Sequence, residues 1–379
     1  MNGFSIHDTR AQTAIALPAR ARLRIAQIAP LAESVPPKQY GGTERVVAYL
    51  SEALAAAGHE VTLFASGDSK ADVKLHACCP HALRGQQGGC DPQLWAALQF
   101  QALLDRADAF DIVHFHSGYL HFAIDDLLPP HVTTLHGRLD LDPPQFYARY
   151  PRAALVSISE AQRRPYPDAA WLCTIHHGLP RGLLHAGAGD GGYLAFVGRL
   201  SPEKRVDRAI EIARRAGLPL KIAAKIDQAD AAYVAQSVRP LLDQAGVEFL
   251  GEADERQKQD LLAHAAALLF PIDWPEPFGL VMIEALACGT PVIAYDHGSV
   301  PEIVEHGRNG FLVDSIPAAV DAVRRVNEIS RAECRRIFEQ RFTAERMAAD
   351  YVEAYRATLA ARLPQRVPMS SDLLRASAS

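Results

Sequence analysis

Residues 274–284 read Trp-Pro-Glu-Pro-Phe-Gly-Leu-Val-Met-Ile-Glu, and this stretch decides the fold. It follows the short apolar run Ala267–Phe270, which predicts a buried strand. Pro277 keeps the residue before it extended, so a helix begins only near residues 278–279, and a glycine ends it after Cys288. A buried strand followed by a loop and a helix is the repeating unit of parallel α/β sheets.

The same alternation continues through the rest of the C-terminal half. The strand-like run Pro291–Tyr295 comes just after the quoted segment, and a helical pattern spans about Glu203 to Ala216. Repeated strand–helix order implies a parallel sheet covered by helices. The other strands predicted in this half are Tyr193–Val197, Leu220–Ala224 and Val247–Leu250.

The N-terminal half repeats the pattern. Leu23–Ala29 predicts a buried strand, and the helical pattern after it begins with Thr43 as the expected N-cap and ends at Gly58. Apolar runs separated by helical or loop segments follow. The strands predicted from them are Val61–Ala65, Ile112–Phe115, Val132–Leu135, Leu155–Ile158 and Leu172–Ile175.

This order predicts two doubly wound, Rossmann-like α/β domains that face each other across a cleft. The glycine-rich stretch 178–192 has no apolar period, and we interpret it as the linker. It separates an N-terminal domain, residues 20–180, from a C-terminal domain, residues 193–342. A single long helix is predicted over 343–361, and residues 362–379 form a tail.

The overall charge bounds the class of partner. The 379 residues include 39 Lys and Arg against 44 Asp and Glu, which gives a net charge of −5. Nucleic acid is therefore not expected as a partner, because phosphate backbones require a strongly basic face. A local basic patch on the surface remains compatible with peripheral contact to an anionic membrane.

Cysteine usage and hydropathy indicate the cellular compartment of the protein. The six cysteines form no CxxC pair and no metal-finger spacing, which is typical of reduced thiols in the cytoplasm. The longest apolar run, Leu261–Ile272, is interrupted by His264 and Pro271 and is too short to span a membrane. The first twenty residues lack a convincing signal peptide. The sequence therefore predicts a cytoplasmic location, with contact to the inner face of the membrane left open.

Two motifs have the residue spacing of known functional patterns but lie in the wrong structural context. Gly187, Gly189 and Gly192 satisfy the G-x-G-x-x-G spacing of dinucleotide-binding proteins, but they precede a predicted strand instead of following one. Asp140 and Asp142 form a D-x-D triplet inside a proline-containing loop, not after a strand. Neither motif supports a nicotinamide cofactor or a metal site.

The quoted segment carries the chemistry of the C-terminal half. Ligands of doubly wound folds bind at the carboxyl ends of the strands, which is where this segment lies. The first amides of its helix favour an anion such as a diphosphate. Glu276 and Glu284 frame that helix start, and Gly279 allows a ligand to approach the backbone closely.

Basic residues follow the first strand of the same half. Arg199 and Lys204 flank Pro202, a residue suited to the first turn of a helix. A basic pair beside a helix start adds positive charge where a leaving nucleoside diphosphate would gather negative charge. The alternative is a surface pair in which Glu203 is the partner.

Glycines and histidines mark the N-terminal half. Gly41 and Gly42 lie between the first strand and the first helix, where a double glycine permits either close ligand approach or a tight turn. His136 and His116 each end a predicted strand at the carboxyl edge of the sheet, so both are expected to face the cleft. His136 is the first choice as a functional residue.

Several blocks in this order resemble the family 4 retaining glycosyltransferases of GT-B fold. The E-x7-E spacing of Glu276 and Glu284, with Pro-Phe-Gly after the first and Ala-Leu-Ala-Cys-Gly-Thr-Pro-Val after the second, matches that family. The likeness continues in residues 196–204 (Phe-Val-Gly-Arg-Leu-Ser-Pro-Glu-Lys) and from Gly298-Ser299-Val300-Pro301-Glu302 through Gly310-Phe311, and it covers about residues 23–356.

The resemblance implies roles for individual residues. Arg199 and Lys204 would bind the donor diphosphate, Glu276 with the amides of the helix start would hold the sugar hydroxyls, and Glu284 would hold the ribose. Gly41 and Gly42 would lie beneath the donor phosphates, and His136 would contact the transferred sugar. The remaining positions carried over are Phe278, Gly279 and Leu280 at the helix start, with His116, Ser159 and His177 in the cleft wall.

The resemblance also implies a reaction. A hexose would pass from a UDP-, GDP- or ADP-sugar to the hydroxyl of an unidentified acceptor with retention of configuration. No metal and no other cofactor would be required, and the final helix would cross back onto the first domain. Two departures from the family pattern bear on the donor: Lys225 follows Ala223-Ala224 where a glycine pair is usual, and His177 stands where Asn is usual.

Three other functions remain compatible with a two-domain nucleotide-sugar fold. They are a nucleotide-sugar epimerase, a phosphorylase and a non-catalytic nucleotide-sugar sensor. A phosphorylase would need a lysine site for pyridoxal phosphate, which the sequence does not identify. Release of nucleoside diphosphate from a panel of nucleotide sugars, with and without acceptors, separates the enzymes from the sensor.

Overall fold

The computed structural model describes residues 22–38, 41–84 and 91–362 of the chain. Statements about structure below refer to these residues. The strands within them are β1 (Arg24–Ile28), β2 (Glu60–Ser66), β3 (Lys74–Cys79), β4 (Ile112–Phe115), β5 (His131–Thr134), β6 (Leu155–Ser157), β7 (Trp171–Thr174), β8 (Leu194–Arg199), β9 (Leu220–Lys225), β10 (Val247–Gly251), β11 (Ala267–Phe270), β12 (Val292–Tyr295) and β13 (Gly310–Val313).

The strands form two separate sheets, and every pairing is parallel. The first sheet has the order β3-β2-β1-β4-β5-β6-β7, and the second has the order β10-β9-β8-β11-β12-β13. The strand order reverses direction between β1 and β4 and again between β8 and β11. Such a reversal opens a crevice at the carboxyl ends of the strands. The prediction of two doubly wound parallel sheets is confirmed.

Helices connect the strands in both halves. The helices of the first half are α1 (Gly42–Ala56), α2 (Pro92–Leu104), α3 (Pro144–Arg149) and α4 (Glu160–Arg163). Those of the second half are α5 (Val206–Ala216), α6 (Ala231–Tyr233), α7 (Arg239–Leu242), α8 (Glu255–His264), α9 (Leu280–Ala287), α10 (Val300–Ile303), α11 (Ile316–Arg324), α12 (Arg331–Arg341) and α13 (Ala344–Arg362).

Strand β3 was not predicted from the sequence. Its residues, Lys-Leu-His-Ala-Cys-Cys, are neither a continuous apolar run nor a clean alternation. The strand lies at the edge of the first sheet and pairs only with β2, so most of it remains partly exposed. An edge strand needs no buried faces, and this is why its apolar signal is weak.

Two predicted helix starts are corrected by the structure. Helix α1 begins at Gly42 with Gly41 in the N-cap position, two residues before the predicted cap at Thr43. The helix predicted from Glu203 is interrupted at Arg205, which has a left-handed backbone with φ 52°. Ion pairs to Asp207 (2.8 Å) and Asp273 (2.7 Å) hold the Arg205 side chain. Specific electrostatic contacts of this kind cannot be read from helical periodicity.

The interruption at Arg205 has a consequence for its neighbour. It separates a single turn, Pro202–Lys204, from helix α5. Lys204 therefore does not lie on the surface of a continuing helix. The turn instead leaves its side chain 11% exposed and directed at the loop that contains Glu276.

The chain passes between the two domains at two places that lie side by side. The Leu179 amide donates to the Phe342 carbonyl (2.9 Å), and the Ala344 amide donates to the Leu179 carbonyl (2.8 Å). After this crossing, helix α13 packs against α1 and β5 of the first domain. Both passes of the chain are thus fixed to each other by backbone hydrogen bonds.

The glycine-rich linker is bound to the second domain. The amides of Gly187, Gly189 and Gly191 donate to carbonyls of that domain at 2.9–3.0 Å. The guanidinium of Arg331 donates to the Gly187 carbonyl (2.9 Å) and to carbonyls of the same domain. A side chain at position 187 would collide with the Ala263 carbonyl, at 2.3 Å. These glycines permit close backbone packing before a strand, which confirms that they do not open a dinucleotide-binding helix.

Two histidines lie inside the core of the first domain. His114 and His121 are fully buried. His121 bonds to Thr133 at 2.8 Å and stacks on the ring of Phe115. Burial lowers the pKa of His121 to about 3 and holds the pKa of His114 well below its usual range.

Other expectations concern membranes, thiols and the ends of the chain. Among the described helices, none has the length and apolar character needed to cross a bilayer. The five described cysteines carry free thiols, and Cys90 lies outside the described residues. Residues 1–21 and 363–379, which include almost all of the predicted tail, also lie outside them.

The close approach of the two passes of the chain predicts that one methyl group added at position 178 lowers the stability of the fold. In Gly178→Ala the new Cβ would lie 2.1 Å from the Thr343 carbonyl oxygen, so the two passes of the chain must separate. We expect a loss of about 2 kcal/mol or more in the free energy of unfolding, measured by urea denaturation. Gly182→Ala is the matched control, because nothing lies within 4 Å of its new Cβ. Equal stability of the two variants would contradict the role of the crossing.

The buried histidines predict a loss of stability in mild acid. The unfolded chain takes up a proton on His121 below about pH 6.5, whereas the folded chain does not until about pH 3, so stability falls as the pH falls through that window. Urea denaturation from pH 8 to pH 5 should therefore show a slope that is smaller in His121→Leu, by up to about 1.4 kcal/mol per pH unit. An equal slope in His121→Leu and in the unaltered protein would contradict this assignment.

Candidate active site

A cleft of about 450 Å³ lies between the carboxyl ends of the two sheets. Both domains line it, as expected for ligand sites of doubly wound folds. From the first domain it receives the loop at Gly41 and Gly42 and the loop that begins at His136. From the second domain it receives the ends of β8 and β9 and the start of α9. Of the residues predicted to contribute to a site, most therefore meet in one cavity.

Glu276 lies at the centre of the second-domain wall. Its side chain is 9% exposed and forms an ion pair with the ammonium group of Lys204. The indole Nε1–H of Trp274 donates to the same carboxylate oxygen at 3.0 Å, and the Lys204 ammonium lies over the Trp274 ring, 4.8 Å from its centre. The carboxylate and the ammonium are thus held beside each other at the surface of the cleft.

The loop carrying Glu276 is supported from behind by residues 298–299. The Ser299 amide donates to the Glu276 carbonyl (2.9 Å), and the Ser299 hydroxyl donates to the Phe278 carbonyl (2.8 Å). Gly298 has a left-handed backbone with φ 60°, and a Cβ there would lie 2.3 Å from the Glu276 nitrogen. Only glycine allows the two loops to approach this closely.

Helix α9 begins directly after that loop. Gly279 forms its N-cap with φ 80°, and no side chain among the described residues caps the helix. Its first amides therefore point toward the cleft without a side-chain partner at the N-cap. Leu280 reaches the opposite wall, because a Cβ added to Gly42 would be 3.7 Å from the Leu280 Cδ1. The helix start and the double-glycine loop therefore lie close to each other across the cleft.

Glu284 belongs to a buried cluster of charges that spans both domains. Its Oε1 accepts from the Lys258 ammonium at 2.5 Å and lies 3.6 Å from the guanidinium of Arg45. Arg45, from helix α1 of the first domain, also pairs with Glu255 at 2.5 Å, and Lys258 lies 3.1 Å from Glu255. Two carboxylates and two cations thus balance each other beside the cleft.

Sequence reasoning did not identify Lys258 and Arg45 as parts of the site. Lys258 lies three residues after Glu255 in helix α8, which is the spacing of an ordinary surface ion pair. In the folded chain Lys258 is only 5% exposed. Arg45 lies one turn inside α1, where nothing in the local pattern indicates a partner from the other domain. Only the tertiary structure, which places Arg45 beside Glu255 and Glu284, brings these charges together.

Three histidines form the first-domain wall and the layer behind it. His136 and His177 line the cleft, with their rings stacked at 5.3 Å. His116 lies behind His136, and its Nδ1 is 3.0 Å from the His136 Nε2. Burial lowers the pKa of His136 to about 3 and holds the pKa values of His116 and His177 well below their usual range. All three rings are therefore neutral at physiological pH.

Three predicted positions lie outside the cleft lining. His116 was expected to face the cleft, but it is 4% exposed and screened by His136. The Ser159 hydroxyl accepts from the Gln162 amide at 3.0 Å and caps helix α4. The Arg199 guanidinium lies against carboxylates beside the cleft, 3.0 Å from Glu203 and 3.6 Å from Asp227. Backbone capping and local ion pairs determine these positions.

The other predicted positions line the cleft. Lys225 does so at the end of β9, where its ammonium pairs with Asp227 at 3.0 Å. No three His, Cys, Asp or Glu side chains in the described part of the chain are grouped as metal ligands. The predicted residues that line the cavity are Gly41, Gly42, His136, His177, Lys204, Lys225, Glu276, Phe278, Gly279, Leu280 and Glu284.

Glu302 holds the two domains together at the rim. Its carboxylate accepts from the amides of Glu160 (2.9 Å) and Ala161 (2.8 Å) at the start of helix α4. His176 bonds to the same side chain at 3.0 Å. A carboxylate of the second domain thus binds the first turn of a helix in the first domain, which is a direct contact between the two domains.

Two family models match consecutive parts of the chain. Residues 40–188 match the model described as Glycosyltransferase Family 4, and residues 186–344 match the model described as Glycosyl transferases group 1. Together they span residues 40–344, which includes both walls of the cleft. The match covers the double-glycine loop, the Arg199–Lys204 segment and the Glu276–Glu284 segment.

Individual proteins agree with the family models. The chain is 26% identical over 339 residues to the α-maltose-1-phosphate synthase of Mycolicibacterium smegmatis, covering 76% of this chain and 84% of that one. The crystal structure of AviGT4, a glycosyltransferase involved in avilamycin A biosynthesis, is 27% identical, with a TM-score of 0.70 and coverage of 89% and 98%. Anabaena HepE, solved in complex with UDP-glucose, shares the fold at 19% identity, with a TM-score of 0.66 and coverage of 89% and 100%.

The fold, the cleft and these matches agree on one assignment. The two parallel α/β domains of this chain match those of solved glycosyltransferases of GT-B fold over most of their length. The chain therefore belongs to glycosyltransferase family 4 and is a transferase enzyme of GT-B fold.

Proposed function

We propose that this enzyme is a retaining glycosyltransferase that moves a hexose-type sugar from a nucleoside diphosphate sugar to an acceptor hydroxyl, without an obligatory metal ion. The observation that carries the proposal is the Lys204–Glu276 pair beside the open start of helix α9, inside the cleft. This arrangement offers a cation and amides for a diphosphate and a carboxylate for sugar hydroxyls on one wall of the cleft.

The donor diphosphate would bind at the start of α9. A helix start of this kind favours an anion, because its amides and the helix dipole are both oriented toward it. Lys204 adds a full positive charge at the same edge. Arg199 would join by exchanging Glu203 and Asp227 for phosphate oxygens. A diphosphate stabilised in this way is a good leaving group without a metal.

The sugar and the ribose would bind on opposite sides of the diphosphate. Glu276 and the amides at Phe278–Gly279 face the space between the walls, opposite His136, and would hold the hexose. Glu284 lies further along α9 and would accept the ribose hydroxyls. Because the Glu284 carboxylate already pairs with Lys258 and Arg45, ribose binding would share it with these cations.

The distribution of carboxylates supports retention without a covalent intermediate. The acidic residues that line the described cleft are Glu252, Glu276 and Glu284, and all three belong to the second domain. Glycoside hydrolases need carboxylates on both sides of the bond that they cleave. With none on the first-domain wall, the departing phosphate would take the acceptor proton, and the acceptor hydroxyl would attack from the same face.

The similarity to proteins that use nucleotide sugars supports the donor class. Anabaena HepE shares the fold and binds UDP-glucose. In this chain the end of β9 carries Lys225, paired with Asp227, where many family members have a glycine pair. UDP-, GDP- and ADP-sugars therefore all belong in a donor panel. Release of nucleoside diphosphate that depends on an acceptor would support a transferase over an epimerase, a phosphorylase or a sensor.

The diphosphate site predicts that Lys204→Ala lowers turnover by about 100-fold or more, because one charge that stabilises the leaving group is lost. The measurement is nucleoside diphosphate release with the best donor in the panel. Lys221→Ala is the matched control, since Lys221 lies on the same sheet, pairs with Glu248 and does not line the cleft. Full turnover in Lys204→Ala would refute the diphosphate assignment, and binding without any turnover in the unaltered enzyme would favour a sensor.

The close packing of Gly298 against the Glu276 loop predicts that a larger residue at position 298 weakens donor binding. Gly298→Ala would place a Cβ 2.3 Å from the Glu276 nitrogen and push the loop into the cleft, so donor affinity should fall at least tenfold by calorimetry. Gly307→Ala is the control for backbone strain alone. Its φ is 78° and nothing lies within 4 Å of the new Cβ. Equal donor affinity in the two variants would show that the loop position does not matter for binding.

A further inference from the structure

A chain of buried hydrogen bonds leads from the cleft wall to helix α13. The His136 Nε2 is 3.0 Å from the His116 Nδ1, and the His116 Nε2 is 2.6 Å from the Gln27 Oε1. The Gln27 Nε2 donates to the hydroxyl of Tyr355 at 3.1 Å. We name these four residues the relay. Apart from His136, which lines the cleft, its members are 0–4% exposed.

A branch continues beyond Tyr355. Its hydroxyl lies 2.8 Å from the His114 Nδ1, and the His114 Nε2 lies 2.7 Å from the Thr134 hydroxyl. The Thr134 hydroxyl in turn lies 2.8 Å from the hydroxyl of Tyr351. Tyr355 and Tyr351, which lie one turn apart on α13, thus form the two ends of this branch.

The side-chain amide of Gln27 sets the direction of every bond in the relay. Its Oε1 can only accept a hydrogen, so the His116 Nε2 must carry one. A neutral imidazole has one N–H, which leaves the His116 Nδ1 as an acceptor and requires the His136 Nε2 to donate to it. Burial keeps both rings neutral, because it depresses the pKa of each.

This direction leaves one nitrogen of His136 with a lone pair and no hydrogen. That atom, Nδ1, is buried and has no hydrogen-bond partner among the described residues. Its ring forms part of the cleft wall opposite the Glu276 loop. Buried polar atoms are nearly always hydrogen-bonded in folded proteins. An unpaired acceptor in a ligand cleft therefore indicates that a ligand supplies the hydrogen.

We propose that His116, Gln27 and Tyr355 are positioning residues that hold His136 in its Nε2–H tautomer, so that its Nδ1 accepts a hydrogen bond from a hydroxyl group of the transferred sugar. The inference rests on the proposed function for the identity of the ligand. The tautomer itself follows from the bonds of the relay. Helix α13 thereby contributes to the cleft through Tyr355, although none of its residues lines it.

Replacement of Tyr355 tests the relay. In Tyr355→Phe the Gln27 NH₂ group loses its acceptor inside the protein, and an unpaired buried N–H is unfavourable. The amide should then turn over and present its NH₂ to His116, which reverses the relay and moves the hydrogen of His136 to Nδ1. Tyr351→Phe is the matched control, because it removes an equally buried hydroxyl from the same helix without touching Gln27.

The measurement is ¹⁵N–¹H correlation NMR of the histidine rings in the full chain, labelled at histidine and free of donor. The His136 signals are identified by their loss in His136→Gln. We expect Nε2–H and a bare Nδ1 at His136 in the unaltered protein and in Tyr351→Phe, and a second, Nδ1–H population in Tyr355→Phe. An Nδ1–H ring in the unaltered protein, or the same spectrum in both tyrosine variants, would overturn the proposal.

Kinetics supply the second readout. Tyr355→Phe should lower kcat for sugar transfer about three- to tenfold, the size of one hydrogen bond, while the donor KM changes less than twofold. Tyr351→Phe should lower stability similarly and leave kcat unchanged. An equal loss of kcat in both variants would assign the effect to packing and overturn the relay. Because the tautomer is read without donor, failure of every nucleotide sugar to react counts against the proposed function and not against the relay.

Discussion

The paired crossing of the chain at Leu179 and Thr343 is the constraint on which the arrangement of the two domains depends. Backbone hydrogen bonds join the two passes where the chain leaves the first domain and where it returns to it. Because both sheets are parallel and wound from the same kind of unit, each has one edge where loops gather. The crossing turns these two edges toward each other. Every residue of the site depends on that orientation, since neither domain alone presents both walls.

Charge compensation is the second feature that organises the cleft. Glu276 is paired with Lys204, and Glu284 is paired with Lys258 and Arg45. Burial of an ionised carboxylate without a partner is unfavourable in free energy. These pairs therefore stabilise the acidic side chains inside the cleft in the absence of a ligand. A phosphate or a sugar hydroxyl then replaces or shares a contact that already exists. The site is thus organised in advance, which reduces the reorganisation needed on binding.

Much of this architecture could be predicted from local sequence. The strand–loop–helix unit around Glu276 was predicted with its helix end correct within a residue, because Pro277 and Gly289 limit the backbone on both sides. Strand β3 and the break at Arg205 were not predicted. An edge strand needs no strong apolar pattern, and the left-handed residue is held by carboxylates distant in sequence. Local patterns carry no information about such partners.

The sequence by itself determined the class of fold and selected Lys204 and Glu276 as candidate site residues, which the structure pairs inside the cleft. These follow from the period of apolar residues and from the backbone limits of proline and glycine, which act over a few neighbours. Only the tertiary structure decided that Lys258 and Arg45 neutralise Glu284, and that His116 lies behind His136 instead of beside it. It also decided that Tyr355 meets Gln27. The Gln27–Tyr355 contact joins residues 328 positions apart, and it exists because α13 packs against the first domain. Contacts of this kind depend on the packing of elements distant in sequence, which local patterns do not encode.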